Sequence, residues 1–204
     1  MKETEKLLNF YQQNKNIIKN FLENTEKDRS DDYVFGELCF CLLTPQSVAK
    51  ICRNVIDELK SNEKIFTAGL DELRIYLKGV RFPNVKAQRI IEAREKFPEL
   101  KKKLNSESEE LREWLVDNVN GIGMKESAHF MRNIGFKGLA IIDIHIQNFL
   151  KKIGIIDQIK SLTRKRYLEL ERKFLKLSKK MKISPEELDI AIWLYESGEE
   201  NFYG

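Results

Sequence analysis

Proline and cysteine are scarce in this sequence, which contains four prolines and three cysteines among its 204 residues. No proline-rich or low-complexity linker divides the chain, so we expect residues 1–204 to fold as one unit. No apolar run approaches the roughly 18 residues that cross a bilayer. The stretch from Met1 to Leu22 also has no apolar core of the kind found in signal peptides. These absences predict a cytoplasmic protein with no membrane partner.

The three cysteines are Cys39, Cys41 and Cys52, and none follows residue 52. An odd number of thiols without a secretion signal argues against structural disulfides. Cys39 and Cys41 fall in the apolar stretch from Tyr33 to Leu43. We therefore expect them to be small core residues of a buried helix.

Apolar residues recur at helical spacing along nearly all of the chain. The composition, 42% hydrophobic and 33% charged, is that of an ordinary soluble protein. Ser184 to Glu187 form an S-x-x-E capping box with proline at the first helical position. The pattern predicts an all-α fold with helices at about 3–22, 31–43, 47–60, 69–78, 84–96, 161–182 and 185–197.

Two more helices flank a short connection that contains glycine. Apolar spacing predicts the first at about 107–118, and Ser106 followed by Glu109 gives the start pattern of a capping box. The second continues to Gly135, a residue suited to the left-handed position that ends a helix. Together they predict a helical hairpin over about 107–134.

The connection has the sequence Asn120-Gly121-Ile122-Gly123-Met124-Lys125. Gly121 and Gly123 are able to take positive φ and to let a phosphate approach the main chain. N–H groups at the start of the second helix point outward, where the positive end of the helix dipole favours an anion. We predict that Gly121, Ile122 and Gly123 contact a DNA phosphate.

A lysine and an aspartate follow the glycines at a fixed separation. Lys125 would lie in the first turn of the second helix, where the dipole favours the uncharged, nucleophilic amine. Asp143 comes eighteen residues later, at the start of the amphipathic stretch from Ile144 to Leu150, where it would cap a helix. Taken singly, each residue suits an ordinary structural role, a solvated lysine and a helix cap.

Hairpin, lysine and aspartate together resemble the helix-hairpin-helix DNA glycosylase superfamily, which contains endonuclease III and the 8-oxoguanine glycosylases. In its bifunctional members a G-[IV]-G-x-K hairpin supplies a nucleophilic lysine, and an aspartate just under twenty residues later supplies the essential carboxylate. The resemblance implies that Lys125 and Asp143 are catalytic. It also implies a two-lobed helical fold with DNA in the cleft between the lobes, in which the terminal helices pack together as the second lobe.

Two further segments indicate which group within this superfamily the chain resembles. Leu42 to Ser47 is similar to a turn that the superfamily places at the damaged strand. Lys78 to Ala87 is similar to the K-G-x-R-F-x-N-x-K-A run of the compact 8-oxoguanine glycosylases of archaea and some bacteria. These enzymes have no iron–sulfur cluster, and three cysteines cannot supply the four thiolates that such a cluster uses. We therefore expect no cofactor.

The resemblance implies a monomeric DNA glycosylase and AP lyase that excises 8-oxoguanine from double-stranded DNA through a lysine Schiff base and β-elimination. A flipped oxidised purine needs aromatic faces to stack on and polar atoms to read its edge. Phe82 and Trp193 are the candidates for stacking, and Gln46 for a polar contact or a wedge in the vacated space. For His145 we favour a structural hydrogen-bonding role.

Two alternatives remain open at this point. An enzyme of the endonuclease III type would remove oxidised pyrimidines with the same lysine and aspartate. A non-catalytic module would use the hairpin only to grip DNA. Excision assays on defined lesions distinguish the first alternative, and borohydride trapping of a covalent adduct distinguishes the second.

Overall fold

The computed structural model describes residues 2–25 and 29–198. Within these ranges the chain forms ten α-helices and no β-strand, which confirms the predicted all-α class. No helix of the described residues is long and apolar enough to cross a membrane. The helices are α1 (Glu3–Thr25), α2 (Asp31–Leu43), α3 (Ala49–Ser61), α4 (Leu70–Tyr76), α5 (Pro83–Lys103), α6 (Ser108–Asn118), α7 (Met124–Asn133), α8 (Ile144–Lys152), α9 (Arg164–Met181) and α10 (Pro185–Ser197).

Most helix ends follow the sequence signals. Ser184 caps α10 by accepting a hydrogen bond of 3.2 Å from the N–H of Glu187. The end of α7 is followed by Gly135 at φ +85°, as predicted. The predicted cap of α6 is wrong. Its N-cap is Glu107, which makes no side-chain capping bond, and the N–H of Ser106 donates instead to the carbonyl of Lys103 at 2.9 Å in the turn after α5.

Helix α5 is longer than the sequence predicts. The pattern ends at about residue 96, yet the helix continues through Pro98 to Lys103. Proline removes one backbone hydrogen bond from a helix interior. Phe97 and Leu100, on either side of Pro98, are both buried, and their packing holds the last turns in place.

The described residues fall into two compact units. The terminal unit consists of residues 2–25 and 131–198, and it contains α1, α8, α9 and α10. Within it α10 packs against α1 and α8. Tyr11 of α1 donates a hydrogen bond of 3.0 Å to Glu187, and Phe10 meets Tyr195 edge to face at 5.6 Å. These contacts join the two ends of the chain.

The central unit consists of residues 29–130, with α2 as its innermost helix. Every α2 residue from Val34 to Leu43 is buried, and α3 and α5 pack against it. Cys39 and Cys41 are fully buried on this helix, which confirms their predicted place in the core. The central unit carries the glycine hairpin, and α7 begins in this unit and ends in the terminal one.

Candidate active site and nucleic-acid interface

The hairpin between α6 and α7 is a tight turn built around Gly121. Gly121 has φ +95°, a conformation that L side chains rarely adopt. The next N–H, that of Ile122, donates to the carbonyl of Val119 at 3.0 Å, and the Ile122 side chain is buried beneath the turn. The glycine predicted to make the turn therefore does so, and Ile122 anchors the hairpin.

Gly123 differs from the prediction, because its backbone is not in the left-handed region. A β-carbon at this position would lie 3.1 Å from Oε2 of Glu126, the far end of a flexible side chain. The absence of a side chain at Gly123 therefore leaves space above the first turn of α7, and the φ angle does not require glycine here. That turn carries N–H groups without an acceptor inside the helix, which is the arrangement that binds anions.

Arg89 of α5, which is not among the predicted site residues, lies against the hairpin. A β-carbon at Gly121 would be only 2.7–2.9 Å from the Cδ, Nε and guanidinium carbon of Arg89. A guanidinium has five N–H donors that suit a phosphate. The hairpin therefore combines a helix N-terminus with an arginine, two features that both favour an anion. Nothing in the local sequence around Arg89 identifies it, because the contact joins residues 32 positions apart.

Lys125 is the second residue of α7, and its side chain is 30% exposed. Its Nζ lies 3.2 Å from Oε1 of Glu126, a carboxylate that is not among the predicted site residues. The ion pair joins two neighbouring residues in the first turn of the helix. Lys125 therefore combines partial burial with access to solvent, as a nucleophile that must reach a ligand requires.

Helix α2 lies behind this part of α7. Cys41 is fully buried there, and its thiol lies within the electrostatic influence of the charges on Lys125 and Glu126. Burial raises the pKa of the Cys41 thiol well above its usual value, so the thiol stays protonated and is a poor nucleophile. Phe40 meets His129 of α7 edge to face at 5.8 Å. Of these side chains, Lys125 is the one suited to attack an electrophile.

Asp143 is the N-cap of α8, as predicted. Its Oδ1 accepts a hydrogen bond of 2.9 Å from the N–H of Ile146. The other oxygen, Oδ2, makes no hydrogen bond within the described part of the chain, and the residue is only half-buried. Asp143 therefore retains an acceptor beyond its capping role. Two residues on, His145 meets Trp193 of α10 edge to face at 6.1 Å.

A buried lysine organises the turn after α2. Lys86 of α5 is 2% exposed, and its Nζ donates to the carbonyls of Leu43 and Pro45 at 2.6 and 2.8 Å and to Oγ of Ser47 at 2.9 Å. No carboxylate is among these acceptors. The carbonyl of Leu43 ends α2, where the negative end of the helix dipole stabilises a cation. Burial lowers the pKa of Lys86 from its usual value.

This turn also connects residues 42–47 with residues 78–87, the two segments whose sequences are similar to those of known glycosylases. Ser47 Oγ accepts a second hydrogen bond, of 3.0 Å, from the N–H of Arg81. Gln46 and Phe82, beside Ser47 and Arg81, both have positive φ, of 58° and 59°. Phe82 is 50% exposed, with the Arg81 guanidinium 5.0 Å from its ring centre. The structure thus brings Gln46 and Phe82 to one surface of the central unit, held from beneath by Lys86.

The predicted site residues are distributed over both units. The central unit carries Lys125 on one hairpin with Gly121, Ile122 and Gly123, and Gln46 and Phe82 on the surface held by Lys86. Asp143 and Trp193 belong to the terminal unit. Over the described ranges, no group of three or more His, Cys, Asp or Glu side chains could hold a metal ion.

A helical hairpin with this glycine turn, followed by a lysine in an all-helical chain, defines a protein of the helix-hairpin-helix DNA glycosylase class. The family described as 8-oxoguanine DNA glycosylase matches residues 14–183. A relative from Korarchaeum cryptofilum, named 8-oxoguanine DNA glycosylase/AP lyase, is 42% identical over 187 residues, which cover 89% of this chain and 88% of the relative. The chain belongs to the 8-oxoguanine DNA glycosylase family, which confirms the predicted resemblance.

Solved structures agree with this assignment. The 8-oxoguanine DNA glycosylase of Thermotoga maritima superposes with a TM-score of 0.89 at 29% identity, covering 97% of each chain. The 8-oxoguanine glycosylase/lyase of Methanocaldococcus jannaschii, in complex with a 15mer DNA containing 8-oxoguanine, superposes with a TM-score of 0.86 at 32% identity. That match covers 96% of this chain and 99% of the other. The similarity therefore extends over nearly the whole chain.

Proposed function

We propose that this protein excises 8-oxoguanine from double-stranded DNA and then cleaves the strand at the resulting abasic site. The observation that carries the proposal is the 42% identity, over 89% of the chain, to a relative named 8-oxoguanine DNA glycosylase/AP lyase. The half-buried amine of Lys125, at the start of the helix that follows the glycine turn, supports the same chemistry.

Lys125 is the nucleophile of the proposed reaction. Its unprotonated amine attacks C1′ of the damaged nucleotide, so that a C1′–Nζ bond forms while the bond from C1′ to the base breaks. The sugar ring opens to a protonated Schiff base. Loss of a C2′ proton then expels the 3′-phosphate by β-elimination, and water releases the lysine from the cleaved strand. Each step conserves electrons without an added oxidant or reductant.

Asp143 stabilises the sugar in this proposal. As the base leaves, the sugar gains oxocarbenium character, and a fixed carboxylate nearby lowers the energy of that charge. Because Oδ1 is bound to the N–H of Ile146, the carboxylate has a defined direction while Oδ2 is left for the substrate. Capping and catalysis are thus compatible in one residue.

The hairpin and Arg89 hold a phosphate in the same proposal. Main-chain N–H groups of α7 and the Arg89 guanidinium contact the DNA backbone, which positions the duplex without reading its sequence. Gln46 contacts the strand at the flipped nucleotide, and Phe82 and Trp193 offer aromatic faces to bases. Gln46 and Phe82 are both exposed, and Trp193 is half-buried.

The proposed enzyme acts as a monomer without a cofactor. The three cysteines of the sequence are fewer than the four thiolates of an iron–sulfur cluster, and all three are buried. The chemistry assigned to Lys125 and Asp143 uses side chains alone.

Single-turnover excision on three duplexes tests the function. The duplexes carry 8-oxoguanine, an oxidised pyrimidine or no lesion at the same position. We expect strand cleavage only at 8-oxoguanine, with Asp143→Asn slowing excision by roughly 100-fold, the scale for loss of a positioned electrostatic group. Asparagine caps helices about as well as aspartate, so the variant should fold normally. Preferred cleavage at the pyrimidine would contradict the substrate assignment.

A further inference from the structure

The segment that leads into Asp143 is irregular, yet it is buried. Between Gly138 and Asp143 the chain forms no helix, while the four intervening residues, 139–142, are at most 8% exposed. Buried backbone N–H and carbonyl groups must find hydrogen-bond partners, and this segment has no neighbouring strand to supply them. Side chains of α9 and α10 supply them instead.

Tyr167 of α9 holds two of these groups at once. Its hydroxyl donates to the carbonyl of Ala140 at 2.6 Å and accepts from the N–H of Ile142 at 3.3 Å. Tyr167 is 1% exposed. The N–H of Ala140 donates to Oε1 of Glu171, one turn further along α9, at 3.3 Å. Two side chains of α9 therefore fix the residues directly before Asp143.

Side chains of α10 hold the same segment. The N–H of Gly138 donates to Glu186, and the buried carboxylate of Asp189 lies near the backbone of Ile141. Asp189 is held in turn by Arg132, whose Nη1 lies 2.8 Å from Oδ2. Asp189 is also close enough to Asp143 for the two carboxylates to repel each other. The segment is thus fixed from both helices.

This arrangement is costly for a simple connection between helices. It buries the carboxylates of Glu171, Glu186 and Asp189, each at most 7% exposed, and buried carboxylates are rare unless they have partners. A solvent-exposed loop would satisfy its own backbone with water at no such cost. What the buried segment gains is a fixed position for the residue at its end, which is Asp143.

We propose that Tyr167 and Asp189 are positioning residues for Asp143, and that they act on base excision by fixing the backbone that carries this carboxylate. The inference rests on the proposed catalytic role of Asp143. Neither residue contacts the substrate in this account. A shift of about 1 Å in a catalytic group lowers rates by up to about 100-fold, so loosening the segment should slow excision without weakening DNA binding.

Tyr167→Phe tests the proposal, with Tyr11→Phe as its matched control. Both changes remove one buried hydroxyl in the terminal unit, but Tyr11 bonds to Glu187 and not to the segment before Asp143. We expect Tyr167→Phe to lower the single-turnover excision rate roughly 10-fold, with unchanged affinity for lesion DNA. Tyr11→Phe should leave the rate unchanged even if its melting temperature falls as far.

Tyr167→Phe and Tyr11→Phe are also made in an Asp143→Asn background, which distinguishes a positioning role from a general loss of structure. If Tyr167 acts through Asp143, Tyr167→Phe has little further effect once the carboxylate is gone, so the two changes are not additive. An equal loss in both backgrounds, or a rate for Tyr167→Phe equal to that of Tyr11→Phe, would overturn the proposal. Should Tyr167→Phe fail to fold, Asp189→Asn is measured in both backgrounds with the same expectations.

Two failures are distinguishable in this design. If Asp143→Asn itself excises at the wild-type rate, the catalytic assignment of Asp143 falls, and this inference falls with it. If Asp143→Asn is impaired while Tyr167→Phe, or Asp189→Asn measured in its place, behaves as the wild type, only the positioning role is overturned.

Discussion

Replacement of Lys86 by methionine should destabilise the protein and disturb the surface that carries Gln46. Methionine has nearly the length of lysine and fills the buried channel, but it cannot donate the three hydrogen bonds of Nζ. The Leu43 carbonyl keeps the Cys52 thiol as a partner at 3.3 Å, whereas the Pro45 carbonyl and Ser47 Oγ are only part-buried and can turn to water.

Two opposing contributions determine how much stability Lys86→Met loses. A hydrogen bond to a charged group contributes about 1.5–3 kcal/mol, and of the three bonds of Nζ only the one to the Leu43 carbonyl is fully buried. Removing the cation also removes its desolvation, which is what lowers the pKa of Lys86. We expect a net loss of about 1–3 kcal/mol in the free energy of unfolding. Gln46, no longer held at φ 58°, should relax toward ordinary backbone angles.

Urea unfolding of the wild type, Lys86→Met and Lys78→Met measures this effect. Lys78 is exposed in the same sequence run, so its replacement removes the same charge and should change stability by less than about 0.5 kcal/mol. The pKa of Lys86 is lowered on folding, so the unfolded chain binds more protons just below pH 10.5. The advantage of the wild type over Lys86→Met should therefore grow as the pH rises toward that value. Equal stability of the two variants would refute the assignment of Lys86 as the residue that holds the turn.

The remaining predictions concern the hairpin and the buried ion pair between Arg132 and Asp189. Gly121→Ala should cost about 1–3 kcal/mol in thermal unfolding, because φ +95° is strained for alanine and the β-carbon meets Arg89. Gly123→Ala should change the free energy of unfolding by less than about 1 kcal/mol. It should nevertheless bind lesion and undamaged duplexes more weakly at one fixed salt concentration. Unchanged affinity for both duplexes would refute the phosphate site. Burial raises the pKa of Asp189 from 3.8 to about 7. The stability of the wild type relative to Asp189→Asn should therefore fall between about pH 4 and 7, by at most about 1.4 kcal/mol per pH unit. A stability difference between the wild type and Asp189→Asn that does not change over this pH range would contradict the prediction.

Features encoded within a few residues could be predicted from the sequence. The capping box at Ser184, the cap at Asp143 and the glycine turn at Gly121 each depend on neighbours in the chain, and each is present. The apolar spacing likewise located the helices. Where a local signal competed with packing, the prediction was wrong. Helix α5 continues past Pro98 because buried side chains on either side outweigh one lost hydrogen bond.

The features that the sequence could not give depend on contacts between distant residues. Lys86 is one of 36 Lys and Arg residues. The sequence around it does not indicate that it is buried, because its hydrogen-bond acceptors are about 40 positions away. Arg89 meets Gly121 across a similar gap. Tyr167 and Asp189 act on the segment before Asp143 from helices that follow it in the chain. Spacing within one helix carries no information about such contacts.

Borohydride trapping tests the central claim most directly, because only an amine that forms a Schiff base leaves a reduced covalent adduct with DNA. The wild type, Lys125→Gln and Lys102→Gln are incubated with a duplex that contains 8-oxoguanine, in the presence of borohydride. Lys102 is an exposed lysine of α5 and serves as the matched control. We expect an adduct for the wild type and for Lys102→Gln and none for Lys125→Gln. A Lys125→Gln variant that is trapped at the wild-type yield would contradict the claim.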